Sequence, residues 1–302
     1  MSKVAFIKSD DRSYNIDRAL SLIKSEIING LRDAKKVVIK PNCVTDNVQL
    51  AATHAQALNA VLSFIQPYVE HQVTLAEGTA VGETMRAFEN FGYFKLQGIY
   101  GFAVTDLNTD EYETVELVDR RGKPWLAKVA RTLIGADYLI SVSPPKTHNV
   151  VAYTGAIKNV AVGSLARPSN SFAFRLANRL FRRRLNHKSA IHQGDAAINE
   201  NIKRLYEKIP LKLAVLDAYA AMEGNGPING TMVPAHYAIA GANPVAADWL
   251  ACQLMGIDTA DVGYLSLLGA GKKEHIIAGD DWREHIISFK MHENFAKKQK
   301  QG

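Results

Sequence analysis

The sequence predicts an α/β fold in which mostly parallel sheets carry helices on both faces and form two lobes with a cleft between them. Short apolar segments that suit strands alternate along the chain with longer segments of helical periodicity. The strand candidates are nearly continuous in apolar residues, as is typical of strands buried on both faces. No solenoid repeat and no low-complexity linker interrupts this pattern.

The apolar runs place the strands in chain order, and several of them end directly before polar or proline residues. The predicted strands are 3–7, 36–39, 73–76, 104–107, 138–142, 213–217 and 236–240. The helices follow from apolar residues spaced three and four apart. The predicted helices are 15–29, 53–68, 83–91 and 244–255. A βα-like stretch is expected to begin at Val104, and 127–133 to lead into the strand at 138–142.

Length and composition allow one large domain or two. The two-part division is 1–205, which holds the KTHN and AIKN motifs, and 206–302, which holds the AMEGNGP loop; the alternative is one intertwined domain. No apolar run approaches the ~20 residues needed to span a bilayer, and the start lacks a signal-peptide pattern, so a cytoplasmic location is expected. Cys43 and Cys252 lie far apart, which predicts reduced thiols and no four-cysteine iron–sulfur cluster within one chain.

The net charge of +6 is concentrated in one segment. Between Ser169 and Lys188 there are five arginines, one lysine and no acid, and Phe172, Leu176 and Leu180 repeat every four residues. This pattern predicts a basic amphipathic helix over 170–188. It suits a solvated surface helix, a helix that docks on an anionic membrane or a partner protein, or a lid or nucleic-acid contact. No motif for sequence-specific nucleic-acid binding accompanies it. The arginines are Arg175, Arg179, Arg182, Arg183 and Arg184.

Polar side chains collect where predicted strands end. Because the carboxyl ends of parallel strands share one edge of a sheet, these residues are expected to converge on a ligand crevice. The loop 223–230 has three glycines, so its backbone can approach a ligand closely, but it has neither the P-loop nor the Rossmann glycine order. The residues concerned are Lys40, Asn42, Glu77, Thr79, Lys146, Thr147, His148, Asp217 and Glu223.

The most informative segment is 136–163. Its apolar run stops at Pro144-Pro145 because prolines donate no ladder hydrogen bonds, and Lys146, His148 and then Lys158 follow. Cationic side chains at such a crevice suit an anionic ligand, and a neutral imidazole beside them suits a metal or a proton-transfer step. Lys158 is placed near the first turns of a helix, where the helix dipole disfavours a cation and a bound anion would compensate it.

Several motifs together resemble the family called domain of unknown function 362. They are VVIKPN, the Thr53-His54 pair, LAEG, AFENFGY, ADYLISV, KTHN, TGAIKN, AMEGNGP and AGANPVAADWLACQLMG, and they extend from Val37 to about Gly279. Many members of that family carry a ferredoxin-like iron–sulfur module, for which this chain lacks the cysteines. The family implies no established activity.

The chain is more distantly similar to the nickel-pincer lactate racemase family. His148 and Lys158 stand ten residues apart, as a histidine and a lysine do in that family, and His187 or His192 follows. The resemblance implies that Lys158 stands where the racemase cofactor is attached covalently, and that His192 or His187 stands at a metal-ligand position. Ala80 occupies the position of the racemases' proton-transferring histidine, so the full catalytic set is not present.

These observations predict an enzyme that acts on an anionic small molecule, with a metal ion or a nickel-pincer-like cofactor as possible requirements. The predicted catalytic residues are His148, Lys158, Lys146 and Glu77, and the predicted metal ligands are His148 and His192. The predicted substrate-binding residues are Lys40, Asn42, His54, Asn159, Asp217 and Glu223. The alternative is a non-catalytic binding or scaffold protein, peripheral to a membrane or docked on a partner through the basic helix 170–188.

Overall fold

A central eight-stranded sheet organises the structure. The computed structural model describes residues 2–167, 186–272 and 274–295. The strands are β1 Ser2–Lys8, β2 Val37–Lys40, β3 Thr74–Glu77, β4 Ala103–Asp106, β5 Tyr112–Val118, β6 Pro124–Ala130, β7 Tyr138–Ser143, β8 Lys146–His148, β9 Ala152–Thr154, β10 Leu211–Ala218, β11 Ala221–Glu223, β12 Thr231–Val233, β13 Tyr237–Gly241 and β14 His275–Gly279.

The order of the large sheet is β14-β1-β13-β10-β7-β2-β3-β4. Only β13 runs against its neighbours, and the other five pairings are parallel. This confirms the predicted mostly parallel sheet. The sheet takes strands from both sides of position 205, and the division of the chain at that position stays a prediction.

Helices cover both faces of this sheet, as predicted. Alternate residues of each strand point to opposite faces, so the two faces bury separate apolar clusters. One cluster includes Leu139 with Ile157 and Leu250, and the other includes Ile140 with Leu58. The helices are α1 Arg12–Leu22, α2 Lys24–Leu31, α3 Ala55–Ile65, α4 Thr84–Asn90, α5 Tyr93–Tyr100, α6 Arg131–Ile134, α7 Ala156–Gly163, α8 His187–Ala190, α9 Asp195–Lys208, α10 Pro244–Leu254 and α11 Gly263–Leu267, with 3₁₀ turns at Gln49–Ala51, Gln66–Tyr68, Thr259–Asp261 and Trp282–His285.

Two predicted helices are shorter than expected. The helix predicted over 15–29 divides at Ile23, whose N–H bonds the carbonyl of Leu20 and so closes α1 with a tight turn. The helix predicted over 53–68 ends at Ile65 and continues as a 3₁₀ turn, because Pro67 has no N–H to continue an α-helical ladder.

The segment after β4 forms a hairpin rather than the βα-like stretch that we expected. β5 and β6 pair antiparallel from Tyr112 with Ala130 to Val118 with Pro124. The turn between them places Gly122 at φ +73°, and the Asp119 carboxylate accepts the N–H groups of Arg121 and Lys123. Local turn chemistry therefore closes a hairpin where periodicity alone suggested a βα-like stretch.

The polar edge of the large sheet lies at the carboxyl ends of its parallel strands. Lys40 ends β2 and Glu77 ends β3, while β7 ends before Pro144. The chain then resumes as β8 and β9, which join β11 and β12 in a separate four-stranded sheet with the order β12-β11-β8-β9. The first three residues of the KTHN motif thus form β8, directly beyond this edge.

The basic helix predicted over 170–188 falls almost wholly within 168–185, outside the described residues, and so do its five arginines. Lys188 belongs to α8 and is buried. In the described ranges, no helix has the length and apolarity needed to cross a membrane.

Candidate active site

A cavity of about 450 Å³ opens at the polar edge of the large sheet, as the described residues delimit it. Its walls come from the ends of β2 and β3, from β8, from α7 and from the start of α8. Most of its polar lining comes from segments that the sequence singled out. The polar side chains in the wall are Lys40, Asn42, Glu77, His148, Asn149, Thr154, Lys158, Asn159, Asn186, Lys188, Ser189 and His192.

A buried ion pair forms the floor of this cavity. The Lys40 ammonium donates to Glu77 Oε2 at 2.6 Å and to Asn159 Oδ1 at 3.1 Å. The other Glu77 oxygen accepts the N–H of Gly78 at 2.8 Å. Because each charge has a charged partner and a further hydrogen bond, this pair meets the conditions under which buried ions are tolerated.

An amide pair connects this floor to the KTHN strand. Asn42 Nδ2 donates to Asn159 Oδ1 at 3.1 Å, and Asn42 Oδ1 accepts a hydrogen bond from the Lys146 ammonium. Lys146 also donates to the carbonyl of Ala51. Lys146 therefore stands behind the cavity wall and orients Asn42.

The N-terminus of α7 is capped by a buried carboxylate from α10. Asp248 accepts the N–H groups of Ala156 and Ile157 at 2.8 and 3.0 Å and the hydroxyl of Tyr153 at 3.0 Å. A Cβ at Gly155 would lie 2.2 Å from an Asp248 oxygen, so glycine permits this approach. The cap fixes the helix that carries Lys158 and Asn159.

Two glycines leave room for lysine side chains: Gly163 at the end of α7 and Gly78 after β3. A Cβ at Gly163 would lie 2.3 Å from Lys40 Cε, and one at Gly78 would lie 3.0 Å from Lys188 Nζ. The Lys188 ammonium donates to the carbonyl of Gly163 at 2.8 Å. The absence of a side chain at these glycines of TGAIKNVAVG and LAEG thus accommodates the buried ammonium groups of Lys40 and Lys188.

Two histidines of opposite hydrogen-bonding character lie side by side in the cavity wall. His148 Nδ1 accepts the N–H groups of Val150 and Val151, which assigns its proton to Nε2. His192 Nδ1 lies 3.0 Å from the carbonyl of Lys188 and must donate to it, so its lone pair is on Nε2. The rings stack with centroids 6.3 Å apart. One ring offers a donor and the other an acceptor.

Both imidazoles are held neutral. Burial, together with the charge of Lys158, lowers the pKa of His148 well below its ordinary value and the pKa of His192 to about 4. A neutral ring can accept a proton or bind a metal through its lone pair, and it can donate a hydrogen bond through its N–H, which suits acid–base chemistry or metal ligation.

Three lysines at the cavity lack a carboxylate partner within the described ranges. Burial lowers the pKa of Lys158 to about 8 and the pKa of Lys188 to about 7. Burial, assisted by the charge of Lys158, lowers the pKa of Lys146 to about 7. The ligand-free cavity is therefore a place where ammonium groups lack a counter-charge.

Three residues that the sequence assigned to substrate binding lie outside this cavity wall. His54 caps α3, where its Nδ1 accepts the N–H of Gln56. Asp217 pairs with Arg12 at 3.1 Å. Glu223 accepts the N–H of Lys290. Each of these side chains has a structural partner in this arrangement.

The sequence left open whether His187 or His192 belongs to the site. The structure places His192 in the cavity wall. His187 Nδ1 instead accepts the N–H of Lys128, and its ring stands edge-on to Trp125. Within the described ranges, no three His, Cys, Asp or Glu side chains form a cluster that could hold a metal ion. Metal ligation by His148 and His192 stays a prediction, as does attachment of a cofactor to Lys158.

Sequence reasoning missed two residues of the site. Lys188 was assigned to the basic amphipathic helix 170–188, and Asp248 was not considered although it is the one acid in the apolar segment PVAADWLACQL. Thr154 lines the cavity with a buried hydroxyl that has no hydrogen-bond partner in the described structure. Cys43 also lines it, but burial raises the pKa of its thiol, so it is an inert thiol rather than a nucleophile.

Comparison with known families identifies the chain's relatives. The family model described as domain of unknown function (DUF362) matches residues 37–253. The chain belongs to the DUF362 family. The match extends from the start of β2 to the last turn of α10 and includes every polar residue of the cavity wall.

The DUF362 protein is also similar to individual proteins. A thylakoid-associated protein of Synechocystis sp. is 23% identical over 241 residues, which cover 78% of this chain and 67% of that protein. The lactate racemase apoprotein of Thermoanaerobacterium thermosaccharolyticum is similar at a TM-score of 0.47 and 16% identity, covering 80% of this chain. A Thermotoga maritima protein is similar at a TM-score of 0.42 and 12% identity, covering 72% of this chain. The chain spans about half the length of each of these two solved structures.

Proposed function

We propose that this protein is an enzyme that acts on an anionic small molecule, a carboxylate or a phosphate, bound in the cavity at the ends of β2 and β3. The observation that carries the proposal is the set of buried ammonium groups without a carboxylate partner among the described residues, at Lys146, Lys158 and Lys188. A buried charge without a partner costs several kcal/mol. An anion between Lys158 and Lys188 would supply the missing partner.

The histidine pair favours catalysis over binding alone. A ligand held by Lys158 would lie beside a neutral donor, His148 Nε2–H, and a neutral acceptor, His192 Nε2. Such a pair can remove a proton from one atom of a substrate through His192 and stabilise developing negative charge on another by a hydrogen bond from His148. A protein that only binds an anion would gain more from charged imidazolium rings.

Anions are expected to stabilise the protein against unfolding, and less so as the pH rises. A ligand at 100 times its dissociation constant stabilises by about 2.7 kcal/mol. The pKa values of Lys188 and Lys158 are lowered to about 7 and about 8, so above pH 8 binding must first return protons to these amines. Affinity then falls by about tenfold per pH unit for each proton taken up.

Scanning fluorimetry between pH 6 and pH 9 with sulfate, phosphate and a panel of carboxylates measures this dependence. Chloride at matched ionic strength is the control for salt effects. Unfolding temperatures that no anion raises at any pH would rule out the proposed ligand class.

A second proposal is that the arginine-rich segment 170–188 docks the protein on an anionic membrane surface. Its support is that this segment carries the whole net charge of the chain, and that the Synechocystis relative is described as thylakoid-associated. Attraction of about 1 kcal/mol per basic residue is expected near an acidic bilayer and is screened by salt.

Joint replacement of Arg182, Arg183 and Arg184 by glutamine is expected to abolish salt-sensitive flotation with phosphatidylserine vesicles. The matched control replaces Arg120 and Arg121, which are exposed in the β5–β6 turn, by glutamine. Equal flotation of all three proteins, or flotation with neutral vesicles, contradicts electrostatic docking by this segment.

A further inference from the structure

The buried lysines at the cavity differ in what holds their amines. The Lys146 ammonium donates to Asn42 and to the carbonyl of Ala51, and the Lys188 ammonium donates to the carbonyl of Gly163. Each of these amines is therefore directed at fixed acceptors. These hydrogen bonds fix the position of each nitrogen, so neither amine is free to approach a carbonyl carbon.

Lys158 is different. Its side chain is only 6% exposed and lines the cavity, yet in the described part of the chain its amine makes no hydrogen bond and no ion pair. It lies in the first turn of α7, whose N–H groups are capped by Asp248. Burial lowers the pKa of Lys158 to about 8, so about a tenth of the amine is neutral at pH 7 and about half at pH 8.

The groups around this amine suit the chemistry of a carbonyl. His148 offers an N–H at Nε2, His192 offers a lone pair at Nε2, and the hydroxyl of Thr154 is buried without a partner in the described residues. All of them line the same cavity, and so does the Lys188 ammonium. A carbonyl group needs one donor for its oxygen and one acceptor for the proton of the attacking amine.

We propose that Lys158 condenses with the carbonyl group of an anionic oxo compound, an oxo acid, to form an imine. The proposal rests on the anion-binding function argued above and names the substrate class: Lys188 holds the carboxylate and Lys158 attacks the neighbouring carbonyl carbon.

The step balances without a redox partner. The lone pair of Lys158 Nζ forms the C–N bond while the carbonyl π electrons move to oxygen, which accepts a hydrogen bond from His148 Nε2–H. His192 Nε2 carries one proton from the nitrogen to this oxygen, which gives the carbinolamine. His192 then carries the remaining N–H proton to the hydroxyl, which leaves as water while the nitrogen lone pair forms the C=N bond, so that both histidines end in their starting forms. One water is released for each imine formed.

Reductive trapping tests this inference. The protein is incubated with pyruvate or glyoxylate and sodium cyanoborohydride at pH 8, and the adduct is located by peptide mass spectrometry. We expect one saturable adduct at Lys158, formed roughly a hundredfold faster than at an exposed lysine, since an amine with its usual pKa near 10.4 is far less often neutral at that pH.

Lys158→Arg keeps a positive charge but lacks the nucleophile, so it is expected to lose the adduct; Lys158→Met serves if the arginine variant does not fold. Lys212→Met, at an exposed position of β10, is expected to trap as the unsubstituted protein does. An oxo acid that raises the unfolding temperature without an adduct at Lys158 overturns the imine and leaves the anion site standing. Absence of both effects overturns the two proposals together.

Discussion

Replacing Lys158 by methionine is expected to stabilise the ligand-free protein at pH 7 by about 3 kcal/mol and to remove its stabilisation by anions. Burial lowers the pKa of this amine from its usual 10.5 to about 8, so at pH 7 the folded protein holds the ammonium form in an environment that disfavours it. Methionine fills a similar space without a charge. A substitution that increases stability while abolishing binding indicates a residue that serves function at a cost in folding stability.

The stability gain from Lys158→Met is also expected to depend on pH. Between pH 8 and pH 10.5 the unfolded chain holds the extra proton at Lys158, so the stability of the unsubstituted protein rises with pH in this range. The gain from Lys158→Met should therefore shrink as the pH increases from 7 to 10, as urea unfolding can measure. Lys212→Met, the exposed control, should stay within about 0.5 kcal/mol of the unsubstituted protein. A large loss of stability in the Lys158 variant would mean that the amine has a structural partner.

Asp248→Ala is expected to have the largest destabilising effect, about 4 kcal/mol, because it leaves three buried donors without an acceptor at about 1–3 kcal/mol each. These donors are the N–H groups of Ala156 and Ile157 and the hydroxyl of Tyr153. Burial raises the pKa of Asp248 to about 6, so the lost carboxylate carries a desolvation cost that offsets part of the effect. Loss of the cap should also displace α7 and weaken the response to anions.

The matched control for this variant is Asp11→Ala. Asp11 caps α1 through the N–H of Tyr14 but is exposed to solvent, so its removal should cost only about 1 kcal/mol. Chemical denaturation of both variants, together with their anion-induced shifts, separates a helix cap from a determinant of the site. Equal losses in the two variants would mean that water replaces the Asp248 carboxylate without penalty.

Seven of the eight strands of the large sheet could be predicted because they are short apolar runs. The strand predicted over 138–142 is Tyr138–Ser143 in the structure, and the strand predicted over 213–217 lies within Leu211–Ala218. Where the outcome depended on a turn, periodicity was insufficient: the hairpin of β5 and β6 and the break at Ile23 both follow from local hydrogen bonds.

The candidate site could be predicted in outline, since strand ends in a parallel sheet meet at one edge. The sequence singled out the segments of Lys40, Glu77, His148 and Lys158, and the structure places these four side chains in one cavity wall. It could not show that Asp248 reaches back 92 positions to cap Ala156, because that contact depends on how α10 packs on α7. Nor could it show which lysines lack a counter-charge, since burial and pairing are properties of the assembled fold.

The strand order also bears on how the chain comes to be folded during synthesis. Among the described residues, β1, with its buried Val4, Phe6 and Ile7, pairs with β13 and β14, and both follow it only in the last quarter of the sequence. At a translation rate of about 5–20 residues per second, on the order of 10 to 50 s pass between the synthesis of β1 and the synthesis of its partner strands. Strands β2, β3, β4 and β7 can pair with one another in the meantime. The strand β1 therefore lacks both of its neighbours in the sheet until most of the chain has been made.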